Sequence, residues 1–198
     1  MELCERIDEA RQRWNVLEHP FYTRWEAGEL TQRELRAYAG EYRHVVVALA
    51  QAAGAAGEPE HAREEAEHVA LWDDFAASLG APLEREPTAE TRACAEGWAV
   101  DDRFAALAVL YAVESAQPAI SETKLKGLVE HYGYEPEGPA TAYFRLHSTL
   151  DVEHAEAAAG ALAGAPPGRH DELAAAAGHA LEANWRLLDG VERVFGSS

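Results

Sequence analysis

The sequence predicts an all-α protein: one compact domain built as a bundle of seven to eight helices. Three observations carry this. Ala, Leu, Glu and Arg, all good helix formers, are abundant, and no segment alternates β-branched with polar residues over the length of a strand. Apolar residues recur at helical steps, as along His68, Trp72, Phe75 and Leu79. Gly and Pro gather in short clusters that cut the chain into helix-sized pieces.

A first helix is expected over about 2–18, ending before His19-Pro20 because the residue preceding a proline avoids helical geometry. Thr31 stands three residues ahead of Glu34, the spacing of a capping box, and opens a second helix over about 31–53. Gly54, Gly57 and Pro59 break it, and a third helix runs over about 60–79 to Gly80-Ala81-Pro82. Further helices are expected over 89–98, 101–117 and 119–132, the last two divided around Pro118. A Gly- and Pro-containing loop covers 133–139. One long helix is expected over about 140–163, and a last one over 170–194.

The length of 198 residues suits one domain, and 47% hydrophobic with 26% charged residues marks a globular chain rather than a disordered one. With 35 acidic against 17 basic residues the net charge is -18, which disfavours nucleic acid and anionic membrane surfaces as partners. Cys4 and Cys94 lie far apart and match no metal spacing, so two free thiols are expected. The start of the chain has no apolar run like that of a signal peptide, and no stretch approaches 18 uninterrupted apolar residues. A cytoplasmic protein is the expectation.

The chemistry concentrates in three places. His147-x3-Asp151-x2-His154 steps by four and by seven, so on one helix the three side chains share a face, well placed for metal. In Glu64-Glu65-Ala66-Glu67-His68 both Glu64 and Glu65 lie on the same side as His68. Glu65 to His68 is the i, i+3 spacing of carboxylate-bridged bundles, and His68 continues the apolar stripe of Trp72 and Phe75. Glu114 ends the apolar run Leu107–Val113, where a buried carboxylate is costly unless paired or metal-bound. Glu41, just ahead of Val45-Val46-Val47, can ligate metal or pair with an arginine. Three histidines with three or four carboxylates exceed the needs of one ion, and mixed imidazole and carboxylate donors suit iron or manganese. Such sites with open positions bind and activate O2.

Beyond these residues the sequence resembles the heme-oxygenase-like di-metal oxidases, relatives of the TenA and PqqC proteins, and among them the self-sacrificing para-aminobenzoate synthases. The resemblance runs through His19-Pro20-Phe21-Tyr22-x2-Trp25, Ala37-Tyr38-Ala39, His68-x2-Leu71-Trp72-x2-Phe75, Glu114-Ser115-x2-Pro118, Lys124-x2-Gly127-Leu128 and Ala142-Tyr143-Phe144-x2-His147. It implies the heme-oxygenase-like fold. It also implies two divalent ions, iron with iron or with manganese, held by Glu64 or Glu65, His68, Glu114, His147, Asp151 and His154. Some relatives add a second-helix carboxylate, for which Glu41 is the candidate. O2, an external reductant and a homodimer are further implications.

For the synthases the resemblance implies Tyr22 as ring source and Lys124 as amino donor, for folate synthesis. Position 113 is Val where such a synthase carries a second tyrosine, and the stretch around Glu64-Glu65 is three residues shorter. Two other activities fit the same chain: a diiron oxygenase acting on an external amino acid or fatty acid, and a metal-free TenA-like hydrolase or binding protein. For the hydrolase, neither Cys4 nor Cys94 stands in a matching nucleophile motif.

Overall fold

The computed structural model describes residues 2–196, which form ten α-helices and no strand. In chain order these are α1 (Leu3–Arg13), α2 (Pro20–Glu26), α3 (Gln32–Ala56), α4 (Pro59–Ser78), α5 (Ala89–Trp98), α6 (Arg103–Glu114), α7 (Gln117–His131), α8 (Ala142–His147), α9 (Leu150–Leu162) and α10 (His170–Phe195). The expected capping box is present: Thr31 Oγ1 accepts from the Glu34 amide, while the Glu34 carboxylate accepts from the Thr31 amide. Helix α3 runs through Gly54 to Ala56 and stops at Gly57, whose positive φ of 81° closes it in a left-handed turn.

Ten helices rather than seven or eight follow from two local features. The first expected helix ends early, at Arg13, and the chain makes a 3-10 turn over Val16–Glu18. A separate short helix, α2, then starts at Pro20, where the missing N–H costs nothing, and the His19 ring accepts from the Phe21 amide. At seven residues α2 is too short to show a periodicity of its own. The long helix expected over 140–163 is broken at Ser148 and Thr149. Both hydroxyls turn back on the chain, Ser148 Oγ donating to the Arg145 carbonyl and Thr149 Oγ1 to the Leu146 carbonyl, and so compete with the helical ladder.

Helices α3, α6 and α10 make the centre of the bundle: α3 packs on α4, α5 and α6, and α10 on α1, α5 and α6. Wrapped between α2, α3, α4, α7 and α8 is an aromatic column of Tyr22, Trp25, Tyr38, Tyr42, Trp72, Phe75, Tyr143 and Phe144, all buried. Each such side chain contributes roughly 1.5–3 kcal/mol by leaving water. The two indole N–H groups are satisfied across helices. Trp25 Nε1 donates to the Lys124 carbonyl at 3.1 Å and Trp72 Nε1 to the Ala39 carbonyl at 2.8 Å. The apolar stretch 103–131 is long and apolar enough to pass for a membrane span by composition. It is two helices that part at Ser115–Ala116, and 61% of its most apolar window lies inside the protein, as the core of the bundle.

The approach of α7 to α2 depends on Gly127. A Cβ there would stand 2.7 Å from Trp25 Cδ1 and 2.8 Å from Nε1. Gly127→Ala is therefore expected to destabilise the fold by roughly 1–3 kcal/mol through overpacking. That is about 2–12 °C in the thermal midpoint for a domain of this size; an unchanged melting curve would refute the close-packing argument.

Candidate metal centre

Four helices deliver carboxylates and imidazoles to one buried place. From α4 come Glu65 and His68, with His61 one turn ahead of Glu65; from the last residue of α6 comes Glu114; from the end of α8, His147; and from the first turns of α9, Asp151 and His154. Glu65, His68, Glu114, His147 and Asp151 are buried. The break between α8 and α9 does not scatter the set, because it re-aims Asp151 and His154 toward α4 and α6. His68 Nδ1 lies 2.9 Å from Glu65 Oε1, and the His68 and His147 rings meet edge to face at 4.6 Å. The His147 Nδ1–H donates to the Tyr143 carbonyl at 2.8 Å, which leaves Nε2 as a free lone pair facing the cluster.

The donor atoms fall into two groups, each within 4.8 Å of one another: His61, Glu65, Glu114 and His154 in one, and Glu65, His68 and His147 in the other. Glu65 belongs to both and would be shared by two ions held there. Glu64, the alternative, points the other way. It is half-exposed, and its carboxylate accepts from His154 Nε2 at 3.2 Å, which turns His154 Nδ1 toward the cluster. Such a contact from outside orients a ligand rather than serving as one. Glu41 joins neither group. It is fully buried, but its carboxylate takes the Arg85 guanidinium at 3.1 Å and the Thr88 amide at 2.9 Å, tying α3 to the start of α5.

Burial and neighbouring charges set the electrostatics of this cluster. Burial, with the nearby Glu65 charge, raises the Glu114 carboxyl well above its usual range. Its place at the C-terminus of α6, the negative end of the helix dipole, disfavours a carboxylate further. Burial and the charges of Glu114 and Glu65 push Asp151 up to about 9, and burial pulls His147 down to about 4. Burial acts to raise Glu65 as well, but the hydrogen bond and charge of His68, with His147 and His61, outweigh it and hold Glu65 low.

Glu65 Oε2, both oxygens of Glu114, both oxygens of Asp151, His147 Nε2 and His154 Nδ1 are buried without a hydrogen-bond partner. Folded proteins seldom leave so many polar atoms unsatisfied in one spot. Divalent cations of the iron or manganese type would satisfy the atoms of the two donor groups, and the nitrogen and oxygen donor set suits such ions; Asp151, buried beside them, joins neither group. The residues fit the group.

Beside the centre lies a closed box around Lys124. The side chain is 1% exposed, and its Nζ sits 4.6 Å from the Tyr42 ring centre, 5.3 Å from those of Tyr22 and Tyr38, 5.6 Å from Trp72 and 5.7 Å from Phe144. No carboxylate among the described residues pairs with it. Burial depresses its pKa well below the usual lysine value. The ring faces favour a cation and offset part of this, but each contributes only about 0.5–2 kcal/mol. Tyr22 and Tyr38 share a hydrogen bond between their hydroxyls at 2.8 Å. Tyr143, stacked on the His147 ring at 3.9 Å and packed against Trp72 at 4.9 Å, forms the wall between box and metal centre.

The structure thus brings Glu65, His68, Glu114, His147 and His154 into the two donor groups, with Tyr22 and Lys124 beside them; Asp151 is buried within reach of the Glu114 and Glu65 charges but joins neither group. Sequence reasoning missed His61. Its signal was legible: His61-x3-Glu65-x2-His68 repeats the spacing of His147-x3-Asp151-x2-His154.

The chain is similar to known proteins along most of its length. Residues 47–188 match the family of iron-containing redox enzymes of the haem-oxygenase type. A 4-aminobenzoate synthase of Chlamydia muridarum is 32% identical, over 78% of this chain and 75% of its own length. A 4-aminobenzoate synthase of Nitrosomonas europaea is 29% identical, over 94% of this chain and 89% of its own. Among solved structures, a domain with a heme oxygenase-like fold from Shewanella denitrificans superposes with a TM-score of 0.79 at 22% identity, covering 100% of this chain and 97% of that one. A TenA homolog from Pseudomonas syringae gives 0.80 at 18% identity, covering 97% and 91%. The donor set, the fold and these likenesses converge, and the chain belongs to the haem-oxygenase-like family of iron-containing redox enzymes.

Proposed function

We propose that the chain is a di-metal oxidase that makes para-aminobenzoate, with Tyr22 as the source of the ring and Lys124 as the source of the nitrogen. The observation that carries this is the Lys124 box: an amine whose charged form burial disfavours, against tyrosine rings, one residue layer from the metal ligands. The relatives named 4-aminobenzoate synthase support it.

The atoms account for the product. A tyrosine side chain carries a one-carbon substituent para to oxygen, and para-aminobenzoate carries a carboxyl carbon para to nitrogen. Tyr22 Cβ becomes the carboxyl carbon once the Cα–Cβ bond is cut. At the other end the ring C–O bond gives way to a bond to Lys124 Nζ, the oxygen leaving as water. The Nζ–Cε bond is then cut by O2-dependent oxidation and hydrolysis, leaving an aldehyde on the lysine stem. Two ions, iron with iron or with manganese, supply the activation of O2 that this oxidation needs, with electrons from an external reductant. The chain's own residues do the rest. An uncharged Lys124 amine has a lone pair to offer, whereas an ammonium has none. The Tyr38 hydroxyl holds the Tyr22 oxygen at 2.8 Å, and burial raises the Tyr22 phenol above its usual range, keeping it protonated. Closed aromatic walls exclude water that would compete with the amine.

The test is an aerobic incubation of purified protein with ferrous iron, manganese and a reductant, read by mass spectrometry for product and for the intact chain. Less than one product per chain, with a mass loss mapped to Tyr22, is expected. Tyr42 lies closer to Nζ than Tyr22 does, and a loss mapped there would move the ring source to it. Many turnovers per chain with an unchanged mass would overturn the self-sacrificing reading in favour of an external substrate.

A further inference from the structure

We infer that His61 is itself a ligand of this metal centre, supplying through Nε2 the second imidazole of the ion that His154, Glu65 and Glu114 surround. The inference rests on the di-metal reading above and adds a fourth histidine to the three that the resemblance implies. His61 Nε2 lies 2.9 Å from Glu114 Oε1 and 3.8 Å from Glu65 Oε1. At 2.9 Å an ion pair would normally also be a hydrogen bond, yet both atoms lack hydrogen-bond geometry and are buried without a partner. The nitrogen and the oxygen therefore do not point at each other. Two donor atoms this close that miss one another, with His154 and Glu65 donors in the same 4.8 Å cluster, are arranged around a shared third point.

The arrangement has an internal symmetry that supports the same conclusion. The two segments of spacing His-x3-acid-x2-His run so that the first histidine of each meets the last of the other. His61 packs on His154 with ring centres 4.0 Å apart, and His68 meets His147 at 4.6 Å. Glu65 and Asp151 occupy the middle of the two segments, and Glu114 arrives from the side. Each ion then has one imidazole pair, and His61 is the counterpart of His147. Without it, one ion keeps two imidazoles and the other only one.

The test uses the full chain loaded anaerobically with ferrous iron, scored by iron per chain, by titration of the second ion and by Mössbauer spectroscopy. Wild type should bind two ions. His61→Phe keeps an aromatic ring against His154 but removes the nitrogen, so its circular dichroism should match wild type. It should bind one ion tightly and lose affinity for the second by more than about 100-fold, beyond the 10–100-fold typical of an outer partner. His61→Asp, which restores a donor, should recover the second ion. Two ions with wild-type affinity and an unchanged spectrum in His61→Phe would overturn the assignment while leaving the di-metal centre intact. Fewer than two ions in wild type would overturn the di-metal reading itself, and the His61 role with it.

Discussion

Lys124→Met is expected to abolish para-aminobenzoate formation while two metal ions stay bound. If the lysine nitrogen ends in the product, its loss removes a reactant, so the yield should fall below detection rather than decline in proportion. Methionine suits the box because its unbranched thioether follows the path of the lysine stem and packs well on aromatic rings. Stability should not suffer. Burial lowers the Lys124 pKa in the folded chain, so the lysine charge costs stability at every pH below the unfolded value. Methionine removes that cost, and Lys124→Met should melt at or above the wild-type midpoint at pH 7. Lys124→Arg should lose product equally but melt lower, since a guanidinium cannot shed its charge in a box without a carboxylate. Wild-type product yield from the methionine variant would sink the nitrogen-donor role outright.

Metal loading is expected to raise the thermal midpoint at pH 7.5 by about 10–20 °C, and chelation to remove the gain. At an ion concentration a hundred times the dissociation constant each site adds about 2.7 kcal/mol, and a domain of this size gains about 2–4 °C per kcal/mol. The metal-free protein should also show an inverted pH dependence. Asp151 titrates at about 9 when folded and near its ordinary 3.8 when unfolded, so between these values the folded state holds a proton that the unfolded state has lost. Glu114 acts in the same direction. Stability of the metal-free chain should therefore rise as pH falls from about 9, by up to about 1.4 kcal/mol per pH unit for each such proton. Lys124, lowered by burial, offsets part of this gain, and below the ordinary histidine value His61, His154 and above all His147 work oppositely. The folded His147 pKa of about 4 lies below the ordinary 6.5, so its contribution is lost as pH falls below 6.5. The gain should flatten there. Melting curves from pH 5 to 9, with and without ferrous iron, check both claims; a metal-free midpoint that climbs with pH would refute them.

The sequence by itself determined the helical class, the span of α5, the capped start of α3, and the residue types that can hold metal. It did so because helical periodicity is local: His147, Asp151 and His154 stay on one side whether or not the helix between them is continuous. Likewise Glu114, at the end of an apolar run, is conspicuous without any knowledge of its neighbours. Tyr22 and Lys124, far apart along the chain, were legible only through resemblance to relatives.

What the sequence left open was settled by packing between helices. Glu64 and Glu65 differ by about 100° around the same helix, and either can face inward until the rotation of α4 is fixed. Burial of Trp72 and Phe75 fixes it, turning Glu65 to the centre and Glu64 to the outer side of His154. Glu41 looked equally available, but Arg85 and the Thr88 amide claim it from a loop forty residues on. His61 enters the cluster because α6 and α9 deliver Glu114 and His154 to its turn of α4. The period of a helix tells which residues share a face; only its neighbours decide what that face meets.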